Sequence, residues 1–318
     1  MSLVSTVRGP VDASELGVTL MHEHIFVLTT EVLQTYPDVF GDEDLRVADA
    51  ARRLEELAAR GAGTIVDLTA IGQGRFIPRI QRVAERTSMN IIVATGIYTF
   101  TDVPFYFRFR GSDHMTDLFV RDITTGIGDT GVRAGILKCA TDAQGLTRGV
   151  ESVLRSVAQA HRATGVPIST HTHVATRRGL DQQRIFQEEG VDLSRVIIGH
   201  SGDSTDLHYL EELIAAGSYL GMDRFGIEGI RSFDERVNMV VELCARGHAD
   251  RLVLSHDYSA FIDWFPEQDI ATRFPNWHYL HIHQDVLPAL KHRGVSDAQI
   301  HTMLVDNPRR IFERSGGY

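Results

Sequence analysis

Gly17-Val18-Thr19-Leu20-Met21-His22-Glu23-His24 decides how the rest of the chain is read. A short apolar and β-branched run reads as a strand and ends on His-x-His. Side chains alternate faces along a strand, so His22 and His24 are expected on one face and Glu23 on the other. Two imidazoles converging from one extended segment suit a divalent transition metal, whereas a helical site would need the i, i+4 spacing of His-Glu-x-x-His. A His-x-His also arises by chance, so its weight depends on what the other strand ends carry.

Val/Ile/Leu-rich runs recur at 64–69, 90–96, 134–139, 166–171, 195–200, 218–223 and 251–256, giving eight predicted strands with 17–22. Between them, 45–60, 75–85, 150–164, 207–216 and 235–246 carry apolar residues at helical spacing with charges on the opposite face. Eight β/α repeats predict an α/β fold, a (β/α)₈ TIM barrel forming a single domain over residues 1–318, with an open doubly wound sheet as the alternative. No low-complexity tract or Pro/Ser-rich linker interrupts the pattern.

Composition narrows the function. Hydrophobic residues make up 43% of the chain and charged residues 23%, enough apolar material for a large core and no signature of disorder. A formal charge of −10 without Lys/Arg clusters argues against nucleic-acid binding. Two distant cysteines, Cys139 and Cys244, give no disulfide framework and fit a reducing compartment. Residues 1–17 show neither a basic stretch before an apolar run nor a small-residue cleavage site, and no run reaches membrane-spanning length. The expectation is a cytoplasmic protein with no membrane partner.

The other predicted strand ends carry Lys138, His171, His200 and Asp257. Each alone has a structural explanation: an imidazole capping a loop, a lysine paired with a carboxylate, an aspartate at a helix start. A barrel, however, forces its strand C-termini into one small circle, where imidazoles and a carboxylate make a metal site. Lys138 fits such a place only as a neutral amine, because an ammonium has no lone pair, and burial beside cations favours the neutral form. The irregular stretches 98–113 and 258–277 follow predicted strands and hold Tyr98, Phe100, Phe105, Tyr106 and Phe107 in one, Tyr258, Phe261, Trp264, Phe265, Phe274 and Trp277 in the other. They suit the walls of an apolar pocket, with a seal on the barrel or a subunit contact as the alternative.

His22-Glu23-His24, Gly135-Ile136-Leu137-Lys138, Ser169-Thr170-His171-Thr172, Ile198-Gly199-His200-Ser201-Gly202-Asp203 and Ser255-His256-Asp257-Tyr258, in this order, resemble the phosphotriesterase family of the amidohydrolase superfamily. Gly96-Ile97-Tyr98, Gly221-Met222-Asp223-Arg224-Phe225-Gly226 and Pro275-Asn276-Trp277-His278-Tyr279 resemble its lactonase branch, most closely the actinobacterial members. The resemblance implies two divalent metal ions per chain, zinc first, with iron, cobalt or manganese as alternatives. His22, His24 and Asp257 would hold the inner ion and His171 and His200 the outer one, with carboxylated Lys138 and a hydroxide between them. It further implies Asp257 as acid and base, Tyr98 beside the substrate carbonyl, and Arg224, Ser259, Trp264 and Trp277 around the substrate. Ser259 stands where some relatives carry a cysteine. The implied activity is hydrolysis of N-acyl homoserine lactones and related γ- and δ-lactones, hence quenching of quorum signals, with weak organophosphate triester hydrolysis, by a homodimer. A phosphotriesterase acting mainly on organophosphates is the nearest alternative; a metal-binding sensor on the same barrel is another. His173 matches no ligand position.

Overall fold

The computed structural model describes residues 2–313 and 316–318. An antiparallel hairpin, β1 (Leu3–Thr6) with β2 (Gly9–Asp12), precedes the barrel. The barrel strands are β3 (Val18–Val27), β4 (Ala62–Asp67), β5 (Asn90–Gly96), β6 (Ile136–Thr141), β7 (Ile168–Thr172), β8 (Val196–Ile198), β9 (Tyr219–Met222) and β10 (Leu252–Leu254), continued by β11 (Ser259–Ile262). They pair in parallel in chain order from β3 to β10.

The eighth strand is therefore broken, where the sequence predicted one run over 251–256. Its first half, β10, pairs with β9, and its second half, β11, pairs with β3 through Ser259↔His24 and Phe261↔Phe26. The chain crosses between the two at Asp257, which takes φ 55, a left-handed conformation uncommon for a residue with a Cβ. Asp257 N–H donates to His22 O at 3.0 Å and His24 N–H to Tyr258 O at 2.8 Å, so the break closes the barrel.

Two packed layers result. Inside, Met21, Val66, Leu68, Ile92, Ala94, Ile136, Ile197, Tyr219 and Val253 form one apolar cluster with Val4, Leu16 and Phe312. Outside, Leu20, Ile65, Ile91, Leu137, Ile168, Ile198, Leu220 and Leu254 point the other way, into the helices. The helices begin where the sequence supplies caps: Asp42 for Glu43–Ala58, Thr147 for Arg148–Thr164, and the Ser232/Glu235 capping box for Phe233–Ala245. Alternation would turn His22 outward after the inward Met21. It does not, because Leu20↔Ile65 and Glu23↔Asp67 place three steps of β3 against two of β4. This β-bulge resets the phase, as bulges beside functional sites do.

Among the described residues no helix is long and apolar enough to cross a membrane.

Candidate metal centre

Above the apolar interior, the inward positions turn polar. The structure brings His22, His24, Lys138, His171, His200 and Asp257 into one cluster at the C-terminal mouth. Asp257 Oδ1 lies 3.1 Å from His22 Nε2 and 3.2 Å from His24 Nε2. Lys138 Nζ is 3.1 Å from His22 Nε2, and His200 Nε2 is 2.9 Å from His171 Nδ1. Lys138 and His171 sit within their strands, whereas His200 follows β8 in a left-handed conformation, φ 60. The His173 ring hydrogen-bonds Thr176 Oγ1 at 2.8 Å.

Each imidazole is held from behind. His22 Nδ1 and His200 Nδ1 donate to the two oxygens of Asp223, at 2.8 and 2.9 Å. His171 Nε2 donates to Asp142 at 2.8 Å, and His24 Nδ1 to Thr69 Oγ1 at 2.9 Å, whose hydroxyl donates in turn to Asp67 at 2.6 Å. An acceptor on one ring nitrogen fixes the tautomer, so the other nitrogen presents its lone pair to the centre. All four lone pairs therefore converge.

That convergence tests whether the site fits a cation. His171 Nδ1 and His200 Nε2 meet lone pair to lone pair, which repels unless a positive charge lies against them. A proton is a poor candidate: burial lowers the His171 pKa to about 4 and holds His200 well below the ordinary imidazole value. Divalent cations suit the donors. His22, His24 and Asp257 place three potential ligand atoms within 4.8 Å of one another. Burial also lowers Lys138 to about 8, toward the neutral amine.

Positive charge on the His22 side holds Asp257 well below the ordinary carboxylate value despite its burial. Arg224, also left-handed at φ 64, donates from Nε to Asp257 Oδ2 at 3.1 Å and from Nη1 to Asp203 Oδ2 at 2.8 Å. Arg236, fully buried, holds the other Asp203 oxygen at 2.7 Å.

The cluster floors a cavity of about 420 Å³ lined by Tyr98, Arg224, Ser259, Trp264 and Trp277, with Val27, Ile227, Ile230, Ile262, Phe265 and Phe274 making an apolar wall. Tyr98 Oη lies 3.2 Å from His171 Nδ1, and its ring faces Trp264 at 6.0 Å. Arg224 lines the cavity but is tied to two carboxylates rather than free in a channel. Trp277 is anchored by its indole N–H on His256 O at 2.9 Å, and Ser259 belongs to β11.

Sequence reasoning gave no role to Asp223, Asp142, Thr69, Asp67 or Asp203. Asp223 alone carried a signal, a carboxylate ending the Gly221-Met222-Asp223 strand among ligand-bearing ones.

Such a mouth on such a barrel defines a (β/α)₈ protein with side chains able to ligate metal, and comparison with known proteins gives its kinship. A model described as the phosphotriesterase family matches residues 2–312. A curated protein of Mycobacterium tuberculosis, "Phosphotriesterase homology protein", is 66% identical over the full length of both chains. The "Aryldialkylphosphatase" of Saccharolobus solfataricus is 38% identical, over 96% of this chain and 98% of its own. A solved structure, "Structure of the phosphotriesterase from Mycobacterium tuberculosis", superposes with a TM-score of 0.98 at 66% identity, covering 99% of this chain and 100% of that one. The chain belongs to the phosphotriesterase family of hydrolases.

Proposed function

We propose that the chain hydrolyses lactones, N-acyl homoserine lactones and related γ- and δ-lactones foremost, with weak phosphotriester hydrolysis at the same site. The observation that carries this reading is the lining of the cavity, which joins imidazoles and Asp257 to the apolar side chains of Val27, Ile227, Ile262, Trp264 and Phe265. A ligand with a polar ring and an aliphatic tail meets both.

Two divalent cations, zinc by preference, would be held by His22, His24 and Asp257 on one side and by His171 and His200 on the other, polarising a carbonyl and acidifying water there. Iron, cobalt or manganese would also suit nitrogen and oxygen donors. Lys138, as a neutral amine, can bond to the carbon of carbon dioxide and release one proton, giving a carbamate between the two groups of ligands.

Asp257 would take the proton from the attacking water and deliver it to the leaving alkoxide. Arg224 stays charged between two carboxylates, so it orients Asp257 and cannot accept that proton. Tyr98 would turn its hydroxyl from His171 to the oxygen on which negative charge develops. Trp264, Phe265 and Trp277 exclude water from the tail.

A second reading, mainly phosphotriester hydrolysis, is favoured by the name of the Saccharolobus solfataricus relative, an aryldialkylphosphatase. Comparing kcat/KM for N-acyl homoserine lactones of graded chain length with kcat/KM for paraoxon on one metal-loaded preparation decides, because the ratio measures differential transition-state binding. A higher value for paraoxon than for every lactone overturns the lactonase reading.

A further inference from the structure

We propose that Asp223 couples the two halves of the metal centre: one carboxylate sets the donor direction of His22, in the His24/Asp257 group, and of His200, in the His171 group. The inference rests on the metal-binding reading above. Asp223 follows β9 and is buried beneath both rings, which stack with centroids 5.0 Å apart and planes 26° apart. Its Oδ2 accepts from His22 Nδ1 at 2.8 Å and from the His200 backbone N–H at 3.0 Å, and its Oδ1 accepts from His200 Nδ1 at 2.9 Å.

A glycine clears the space for this arrangement. A Cβ on Gly221 would come within 2.9 Å of Asp223 Oδ2. A carboxylate carries no hydrogen, so both rings must place N–H on Nδ1 and the lone pair on Nε2. The other two imidazoles are aligned separately, His24 through Thr69 and Asp67, His171 through Asp142. Among the described residues Asp223 alone holds imidazoles of both groups from behind, which makes it a positioning residue for the centre as a whole.

The pattern of hydrogen bonds makes the substitutions unequal. In Asp223→Asn the amide oxygen belongs at the Oδ2 position, where two donors meet it. The amide NH₂ then faces His200 Nδ1, so that ring must turn its lone pair outward and its N–H toward the centre. Asp223→Asn should weaken only the ion held by His171 and His200, whereas Asp223→Ala should weaken both. Thr69→Val should weaken only the ion held by His22, His24 and Asp257.

The test titrates metal-free protein with cobalt(II) against a chelator of known affinity, with melting of the metal-free proteins measured alongside. The visible band of His171→Ala identifies the His22/His24/Asp257 ion. Expected are two ions in the wild type, one affinity reduced about 10- to 100-fold in Asp223→Asn, and two reduced by that factor in Asp223→Ala, the usual scale for losing an outer partner of a ligand. If Asp223→Ala does not fold, the loss of the outer ion alone in Asp223→Asn carries the decision. Wild-type affinity for both ions in Asp223→Asn, or loss of the inner ion instead, overturns the coupling. A folded wild type that takes up no ion overturns the metal-binding reading itself.

Discussion

Arg224 Nε meets Asp257 Oδ2 at 3.1 Å, while Asp257 Oδ1 faces His22 and His24, so the two oxygens of one carboxylate are spoken for by different partners. The guanidinium fixes which oxygen faces the ligand cluster. It also balances Asp203, which Arg236 holds from the other side. Removing one partner of a buried pair leaves charge uncompensated and costs about 3–5 kcal/mol; Arg236 remains on Asp203, so the lower end is expected. Arg224→Met should thus lower stability by about 3 kcal/mol in denaturant melts. Arg224→Lys should recover little, because an ammonium cannot bridge both carboxylates in one plane.

Asp257→Asn tests the proton transfer. The amide preserves shape and can still accept, but it has no basicity, so turnover of the metal-loaded enzyme should fall by about two orders of magnitude or more. Metal content is measured on the same sample, because Asp257 is also placed as a ligand. Near-normal turnover at full loading would remove this residue from the proton path.

Much of this geometry was legible from period alone. The strand over 90–96 coincides with Asn90–Gly96, because Val and Ile bounded by turn residues are an unambiguous local signal. The convergence of His22, His24, Lys138, His171, His200 and Asp257 followed from topology, since a barrel gathers strand ends whatever their spacing in sequence. What escaped depends on register. Asp223 reaches His22 across the barrel, and Arg236 reaches Asp203 from a helix, contacts that no local spacing encodes. The bulge in β3 and the left-handed break at Asp257 were likewise invisible, because both are set by pairing with neighbours rather than by residue type. The hairpin β1–β2 was missed because strands of four residues show too little alternation.

Histidines away from the centre set an acid limit. Burial lowers His283 to about 4 and pulls His161 below the usual 6.5; His161 already donates to Val166 O at 2.7 Å and accepts from Tyr318 Oη–H at 2.7 Å. Above pH 6.5 folded and unfolded states are both neutral at these sites, so they add no slope. Below it the unfolded chain binds protons that the fold refuses, and stability falls as pH drops toward about 4. Melting of metal-free protein should decline from about pH 6.5 to 4.5. His161→Phe, less stable throughout, should show a shallower decline; an unchanged slope would rule His161 out as a contributor.

Glu23 gives the sharpest test of how the barrel closes. Its fully buried carboxyl group, pushed up to about 8 by burial, accepts the His256 N–H at 2.9 Å and His256 Nδ1–H at 2.7 Å on Oε1, and the Tyr258 N–H at 3.1 Å on Oε2. His256 Nε2 accepts the Ile282 N–H at 3.0 Å, so the ring proton must sit on Nδ1 and the donors cannot be rearranged. In Glu23→Gln the amide oxygen must stay with His256, which turns the NH₂ against the Tyr258 N–H. One buried donor left unsatisfied costs about 1–3 kcal/mol. Glu23→Ala strands all three donors at the seam joining β3 to the broken eighth strand, so its loss should be larger than that of Glu23→Gln. Urea melts of metal-free protein read these costs without the contribution of bound ions. Equal stability of Glu23→Gln and wild type would mean that the seam is held by the β3–β11 ladder alone.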